Sequence, residues 1–131
     1  MGAWGSGVFE NDDASDWVWE LEDDTDGAVL IEALSVVVDT PIDEQPEMPI
    51  AQEAIAAAEI VASAALAQAP ERLPVEARAW LGANRARVDR ALIALARAAV
   101  ERVSIDSELR DAWAGDPAWE SAIADLLAQL R

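Results

Sequence analysis

The sequence predicts an all-α protein, a single-domain bundle of six or seven helices with a glycine-rich N-terminal segment packed on it. Apolar residues recur at helical spacing along most of the chain. Asn, Asp and Pro stand where these stretches begin, which is typical of helix starts. A chain of 131 residues is long enough for one domain with a real core and too short for two.

The opening segment, residues 1–21, is rich in glycine and aromatic residues. It contains half of the glycines, half of the tryptophans and the only phenylalanine: Gly2, Gly5, Gly7, Trp4, Trp17, Trp19 and Phe9. Chain termini are usually polar and frayed, whereas glycine lets backbone approach backbone closely. We therefore expect residues 1–11 to form an ordered loop packed on the third helix, with N–H groups or an indole of this loop donating hydrogen bonds to Glu59.

The first helix is predicted over residues 12–23. Asn11 and the two aspartates after it offer side-chain oxygens to the free N–H groups of a first turn. Trp17 and Leu21 are four residues apart and form an apolar stripe, from which Trp19 is displaced.

These opening residues resemble an uncharacterised bacterial family, domain of unknown function number 4259. The resemblance lies in the stretches GAWG at 2–5, FENDDA at 9–14 and DW at 16–17, with weaker similarity in AAAEIV at 56–61 and SELR at 107–110. It implies no known activity and no catalytic residue. What it implies is that five residues matter: Asn11, Asp12, Asp16, Trp17 and Glu59.

Six further helices follow from periodicity and breaker residues. They are expected over residues 27–38, 49–68, 74–82, 85–103, 105–114 and from 117 to the end, with an acidic, proline-rich and extended connector at 40–49. The predicted apolar face of the second helix consists of Leu30, Ile31, Leu34 and Val38, although three consecutive valines at 36–38 are also compatible with a strand. Gly82 is expected to end the fourth helix in a left-handed conformation.

The third helix is apolar on almost every side, which places it at the centre of the bundle. Glu59 is its anomaly, because a buried carboxylate needs hydrogen bonds or a counter-charge. One common core is predicted for Trp17, Leu21, Ile55, Leu92, Leu95, Ile123 and Leu127.

The composition excludes several classes of site. Without cysteine or histidine, the chain has no disulfides, no Ser-His or Cys-His nucleophile pair and no ordinary zinc site. No apolar stretch is long enough to span a membrane and no signal-peptide pattern opens the chain, so we expect a cytoplasmic protein with no membrane contact.

Charge is distributed unevenly along the chain, whose net charge is −17. Residues 1–71 contain 17 acids and no basic residue, whereas residues 72–131 contain nine acids and nine arginines. Direct binding to nucleic acid is disfavoured, because phosphate contacts need basic residues. Residues 1–71, the acidic half of the chain, form either a solvated surface that maintains solubility or a binding site for a basic protein. The arginines of residues 72–97 can neutralise part of this charge by ion pairing, but we expect the neutralisation to be incomplete and an exposed negative field to remain.

An enzymatic alternative rests on carboxylates spaced along helices. Asp16, Glu20, Glu53 and Glu59 are its candidate catalytic residues, and Asp16, Glu20 and Glu59 its candidate Mg²⁺ ligands, as in a magnesium-dependent nucleotide pyrophosphohydrolase. Such enzymes also need a basic residue for the phosphates, and every arginine lies beyond residue 71.

The leading hypothesis is a non-enzymatic acidic module that binds a basic protein, as an inhibitor or immunity protein does. No cofactor and no resident metal are expected. The candidate binding residues are Asn11, Asp12, Asp16, Trp17, Asp23, Asp24, Asp26 and Glu59. Reversing the charge of Asp23, Asp24 and Asp26 is expected to leave folding intact, because the three lie in a turn.

Overall fold

The computed structural model describes residues 8–9, 11–66 and 68–131. Within these ranges the chain forms seven α-helices and no strand, which confirms the predicted all-α bundle. The helices are α1 (Asp12–Trp17), α2 (Ala28–Val38), α3 (Met48–Ser63), α4 (Val75–Asn84), α5 (Arg90–Ile105), α6 (Glu108–Trp113) and α7 (Pro117–Gln129). Two 3-10 helices, η1 (Val18–Asp23) and η2 (Arg85–Arg87), follow α1 and α4. None of the described helices is both long and apolar enough to cross a bilayer.

The helix α3 lies at the centre of the bundle, as its composition predicts. It packs against α1, α2, α5, α6 and α7, and 12 of its 16 residues are buried, half of them alanines. Alanine side chains are small enough to let neighbouring helices approach closely on several sides at once. The other helices are therefore arranged around a narrow central rod.

The end of α3 differs from the prediction, because the helix stops at Ser63 and not near residue 68. Arg85 explains the early end, since its Nη1 donates hydrogen bonds to the carbonyls of Ala64 and Leu66, the latter at 2.6 Å. The last carbonyls of a helix have no partner within it, and here a side chain from η2 binds the carbonyls that follow α3.

The first predicted helix is present over its full extent but changes type. It is α-helical to Trp17 and tightens into the 3-10 helix η1 up to Asp23. Trp17 and Leu21 are 4% and 2% exposed, whereas Trp19 is 65% exposed, so the predicted stripe and the displaced tryptophan are both confirmed.

Glycine conformations also correct the sequence analysis. Gly82 lies inside α4, which continues to Asn84, so it is not a left-handed cap. The left-handed glycines of the described chain are Gly27, with φ of 83°, and Gly115, with φ of 86°.

The caps of the last three helices follow the expected chemistry, although two of the starts are displaced. Asp89 accepts a hydrogen bond from the Leu92 N–H at 2.9 Å, so α5 begins five residues later than predicted. Ser107 caps α6 in the same way. Asp116 caps α7 with Pro117 in the first turn, as predicted.

The predicted core is confirmed. Trp17, Leu21, Ile55, Leu92 and Ile123 are buried in one apolar cluster, and Leu95 and Leu127 are partly buried against it. In α2 the buried residues are Leu30, Ala33, Leu34 and Val37. The predicted apolar face of α2 was therefore wrong for Ile31 and Val38, which are 46% and 39% exposed.

The connector before α3 is largely exposed but is tied to the bundle. Gln45 Nε2 donates hydrogen bonds to the carboxylates of Asp106 and Asp111, at 3.0 and 2.7 Å. Arg102 donates to the carbonyls of Pro41 and Glu44. These contacts hold the connector against the α5–α6 corner.

Candidate functional site

The start of α1 brings together four of the predicted binding residues. Asn11 is 5% exposed, and its Oδ1 accepts a hydrogen bond from the Ala14 N–H at 2.7 Å, so it acts as the helix cap. Trp17 is part of the core. Asp12 and Asp16 are exposed and lie four residues apart on one side of the helix. Two of the four are therefore structural, and two are accessible to a partner.

Glu59 has a counter-charge at the edge of the bundle. It is 5% exposed, and its Oε1 accepts hydrogen bonds from Arg72, from Nε at 2.8 Å and also from Nη2. Arg72 is half-exposed at the mouth of a cleft of about 640 Å³, which Val8, Phe9 and Asp125 also line. The predicted donors in residues 2–7 lie outside the described residues. In the described chain, Arg72 satisfies the need of Glu59 for a partner.

A second, smaller hollow lies where η1, α2 and α3 meet. Its volume is about 140 Å³, and Glu20, Glu32 and Glu53 stand around it. Partial burial raises the pKa of Glu53 above its usual range, and the nearby carboxylates of Glu20, Asp13 and Glu32 raise it further. Among the described residues, no arginine lines this hollow, so the mutual repulsion of its carboxylates is not compensated within it.

The candidate magnesium residues do not form one site. Glu20 and Glu53 share the small hollow, Glu59 lines the larger cleft with Arg72, and Asp16 lines neither. In the described part of the chain, no group of three or more carboxylates is placed to hold a metal ion. The structure therefore brings together only two of the four proposed catalytic residues.

Asp24 has a structural position that the sequence analysis missed. Its Oδ2 accepts hydrogen bonds from the Gly27 N–H at 3.0 Å and from the Trp80 indole Nε1 at 2.7 Å, and its Oδ1 accepts one from the Val29 N–H at 3.2 Å. It is only 8% exposed. The expectation that Asp24 stands free in a turn was wrong, because its carboxylate joins η1, the start of α2 and α4.

Asp23 and Asp26, on either side of Asp24, are exposed as predicted. Asp26 also accepts a hydrogen bond from the Ala28 N–H at 3.0 Å, so it contributes to capping α2. Asp23 makes no side-chain hydrogen bond within the described chain. Of the three acids, it is the one whose charge is free of a local structural role.

The acids of residues 11–47 form no ion pair with any arginine in the described structure. The ion pairs found there join Arg72 to Glu59, Arg102 to Asp106 and Arg110 to Asp111. Of the arginines of residues 72–97, Arg72 pairs with Glu59 of the acidic residues 1–71, and none pairs with an acid of residues 11–47 in the described structure.

Large apolar side chains are exposed in the same part of the chain. We define the acidic surface as the exposed acids and exposed apolar residues of residues 12–47. Its acids are Asp12, Asp16, Glu20, Glu22, Asp23, Asp26, Glu32, Asp39, Asp43, Glu44 and Glu47. Its apolar members are Trp19, Ile31, Val36, Val38 and Ile42, of which Trp19 and Ile42 are 65% and 88% exposed.

Comparison with protein families matches residues 2–123 to the family described as a domain of unknown function, DUF4259. The chain belongs to this family. The DUF4259 match extends from the opening segment into α7, so it includes α1, the Glu59–Arg72 pair and the acidic surface. Comparisons with curated proteins and with solved structures found no match. The description of DUF4259 states no activity.

Proposed function

We propose that this DUF4259 protein is a non-enzymatic binding module whose acidic surface docks on a basic protein, in the manner of an inhibitor or immunity protein. The observation that carries the proposal is the coincidence of two features in residues 12–47. All charged side chains of this segment are acidic and lack an ion-pair partner in the described structure. Five of the eight large apolar side chains that are exposed in the described chain also lie there.

Each feature supplies a different part of a binding interaction. Unpaired acids create a negative field that accelerates encounter with a basic partner and disfavours acidic ones. Exposed aromatic and aliphatic side chains provide area that is removed from water on contact, and aromatic residues such as Trp19 are enriched at interfaces. A surface needed only for solubility requires the acids but not the apolar residues.

Binding would also relieve repulsion that the isolated fold carries. The raised pKa of Glu53 is one sign of it, since neighbouring carboxylates contribute to that shift. A basic partner would supply the ion-pair partners that the acids of residues 11–47 lack in the described structure, where Arg102 reaches this segment only through the carbonyls of Pro41 and Glu44. The magnesium-dependent alternative lacks comparable support, because its candidate carboxylates lie in different places. We propose the bacterial cytoplasm as the setting of this binding.

The test compares two triple charge reversals as capture reagents in a native lysate at low salt. The first variant reverses Asp16, Glu20 and Glu32 to Lys within the acidic surface. The control reverses Glu71, Glu101 and Asp125, which are exposed and lie outside it, so both variants change the net charge equally. We expect the first variant to lose the captured protein and the control to retain it.

A third variant tests the apolar part of the surface. Replacing Val36 and Ile42 with Ser keeps the charge and should speed dissociation of the captured protein, because the apolar contact is lost. Equal loss of capture in the two reversal variants would show that net charge alone is responsible. Capture that persists in about 1 M salt, where the screening length is about 3 Å, would rule out a charge-driven mode.

A further inference from the structure

A groove of about 440 Å³ runs between η1 and α4 and shares only Glu22 with the acidic surface. Its floor is formed by Leu21 and Trp80, which are 2% and 3% exposed. Along α4 its wall consists of Val75, Ala79 and Ala83, all exposed. These three residues are four apart, so they follow one another along one side of the helix.

The groove exists because the wall residues Ala79 and Ala83 are small. Larger side chains at these positions would extend over Trp80 and close it. Its floor is held in place, because the Trp80 indole N–H donates to Asp24 at 2.7 Å. The lining extends from Val75 to Asn84, the whole length of α4. At 1.5 Å per residue this is about 15 Å, close to three turns of a partner helix.

The charged residues of the lining are all acidic. Glu22 stands on the η1 side, Glu76 on the α4 side, and Asp24 is engaged with the indole. No arginine of the described chain lines the groove. An occupant that matches this pattern has apolar side chains along one face and positive charge on both flanks.

We propose that the groove is the docking site for an amphipathic basic helix of the partner protein. Apolar residues of that helix, spaced three and four apart, enter the groove over Leu21 and Trp80, and its Lys or Arg side chains pair with Glu22 and Glu76. This inference rests on the proposed function, since it concerns the same basic partner. It assigns recognition of that partner's helix to the η1–α4 groove.

The probe is a synthetic helical peptide with Leu on one face and Lys on the other, and the control peptide carries Glu in place of Lys. The peptide is titrated into protein labelled on alanine methyl groups and backbone nitrogen. We expect saturable NMR shifts at the methyl groups of Ala79 and Ala83 and at the Trp80 indole N–H. The acidic peptide should cause none.

Two variants distinguish the groove from general attraction. Changing Ala79 and Ala83 to Leu fills the groove without altering charge, and should weaken binding at least tenfold by calorimetry. The matched control changes Ala91 and Ala94 to Leu at exposed positions of α5, and should bind as the wild type does. Since a filled groove can also disturb folding, Glu76→Lys provides a second variant, with Glu101→Lys as its control.

The outcomes separate the two proposals. Shifts confined to the acidic surface, with unchanged affinity in the groove-filled and Glu76→Lys variants, would overturn the groove and leave the proposed function standing. Equal weakening by Glu76→Lys and Glu101→Lys would also overturn the groove. Absence of saturable binding by the basic peptide at low salt would overturn the groove, whereas the proposed function is decided by the capture experiment.

Discussion

Replacing Asp24 with Ala should destabilise the protein by about 3 kcal/mol. The substitution leaves three donors without their acceptor: the Trp80 indole and the N–H groups of Gly27 and Val29. A hydrogen bond to a charged group contributes about 1.5 to 3 kcal/mol, and we assign a value in that range to the buried indole. Loss of the helix-start contacts adds roughly 0.5 to 2 kcal/mol, since water can reach part of that turn.

Urea unfolding followed by circular dichroism at 222 nm measures this cost as a change in midpoint at constant slope. Asp23→Ala is the matched control, because Asp23 is exposed, makes no side-chain hydrogen bond in the described chain, and should change stability by less than about 0.5 kcal/mol. Asp24→Asn should lie between the two, because one amide oxygen cannot replace both carboxylate oxygens.

A double-mutant cycle isolates the contact with the indole. Trp80→Phe removes the donor, so Asp24→Ala should cost less in that background than in the wild type. Equal stability of the Asp24→Ala and Asp23→Ala proteins, or identical costs of Asp24→Ala in the two backgrounds, would refute the assignment.

Three further predictions concern single residues. Gly27→Ala should cost about 1 to 2 kcal/mol because φ is 83° there. Gly82→Ala should stabilise α4 by about 0.5 to 1 kcal/mol. An added Cβ meets no atom within 4 Å at either position, so thermal melts of the two variants report the effect of backbone conformation alone. Arg72→Ala should cost about 1 to 3 kcal/mol, because it strands the buried carboxylate of Glu59. Glu59→Ala should cost less, because Arg72 is half-exposed and water can satisfy its freed donors; thermal melts that show equal costs for the two substitutions would contradict this role. Glu53→Gln should raise the free energy of unfolding at pH 7, because folding raises the pKa of Glu53 and its ionised carboxylate therefore destabilises the folded state. The gain in stability should vanish as the pH falls below the usual pKa of about 4.5. A gain that does not depend on pH would contradict this prediction.

Local signals were sufficient to predict the fold. The start of α7 follows from Asp116 and Pro117, whose side chains act on the next few residues only. The central place of α3 follows from its alanine-rich composition, which excludes a broad solvent-exposed face. Both inferences depend on neighbours in sequence, and for this reason they succeeded.

Long-range contacts explain the errors. The end of α3 is affected by Arg85, which binds carbonyls about twenty residues earlier in the chain. Asp24 is buried by Trp80, 56 residues away, and no local pattern indicates that contact. A series of acids in a turn looks equally hydrophilic whether all its members are exposed or one of them binds a distant indole. The sequence therefore predicted where the acidic region lies, but not which of its acids are exposed and which are held by hydrogen bonds.

The central position of α3 has a consequence for how the protein opens. Because this helix contacts most of the others, its amide hydrogens are shielded from water until the surrounding helices separate together. We expect its amides to exchange with deuterium only through global unfolding, and those of α6 and the connector to exchange through smaller openings. Such a protein has no independently folding half, so cutting the chain within α3 should abolish the fold rather than release two stable fragments.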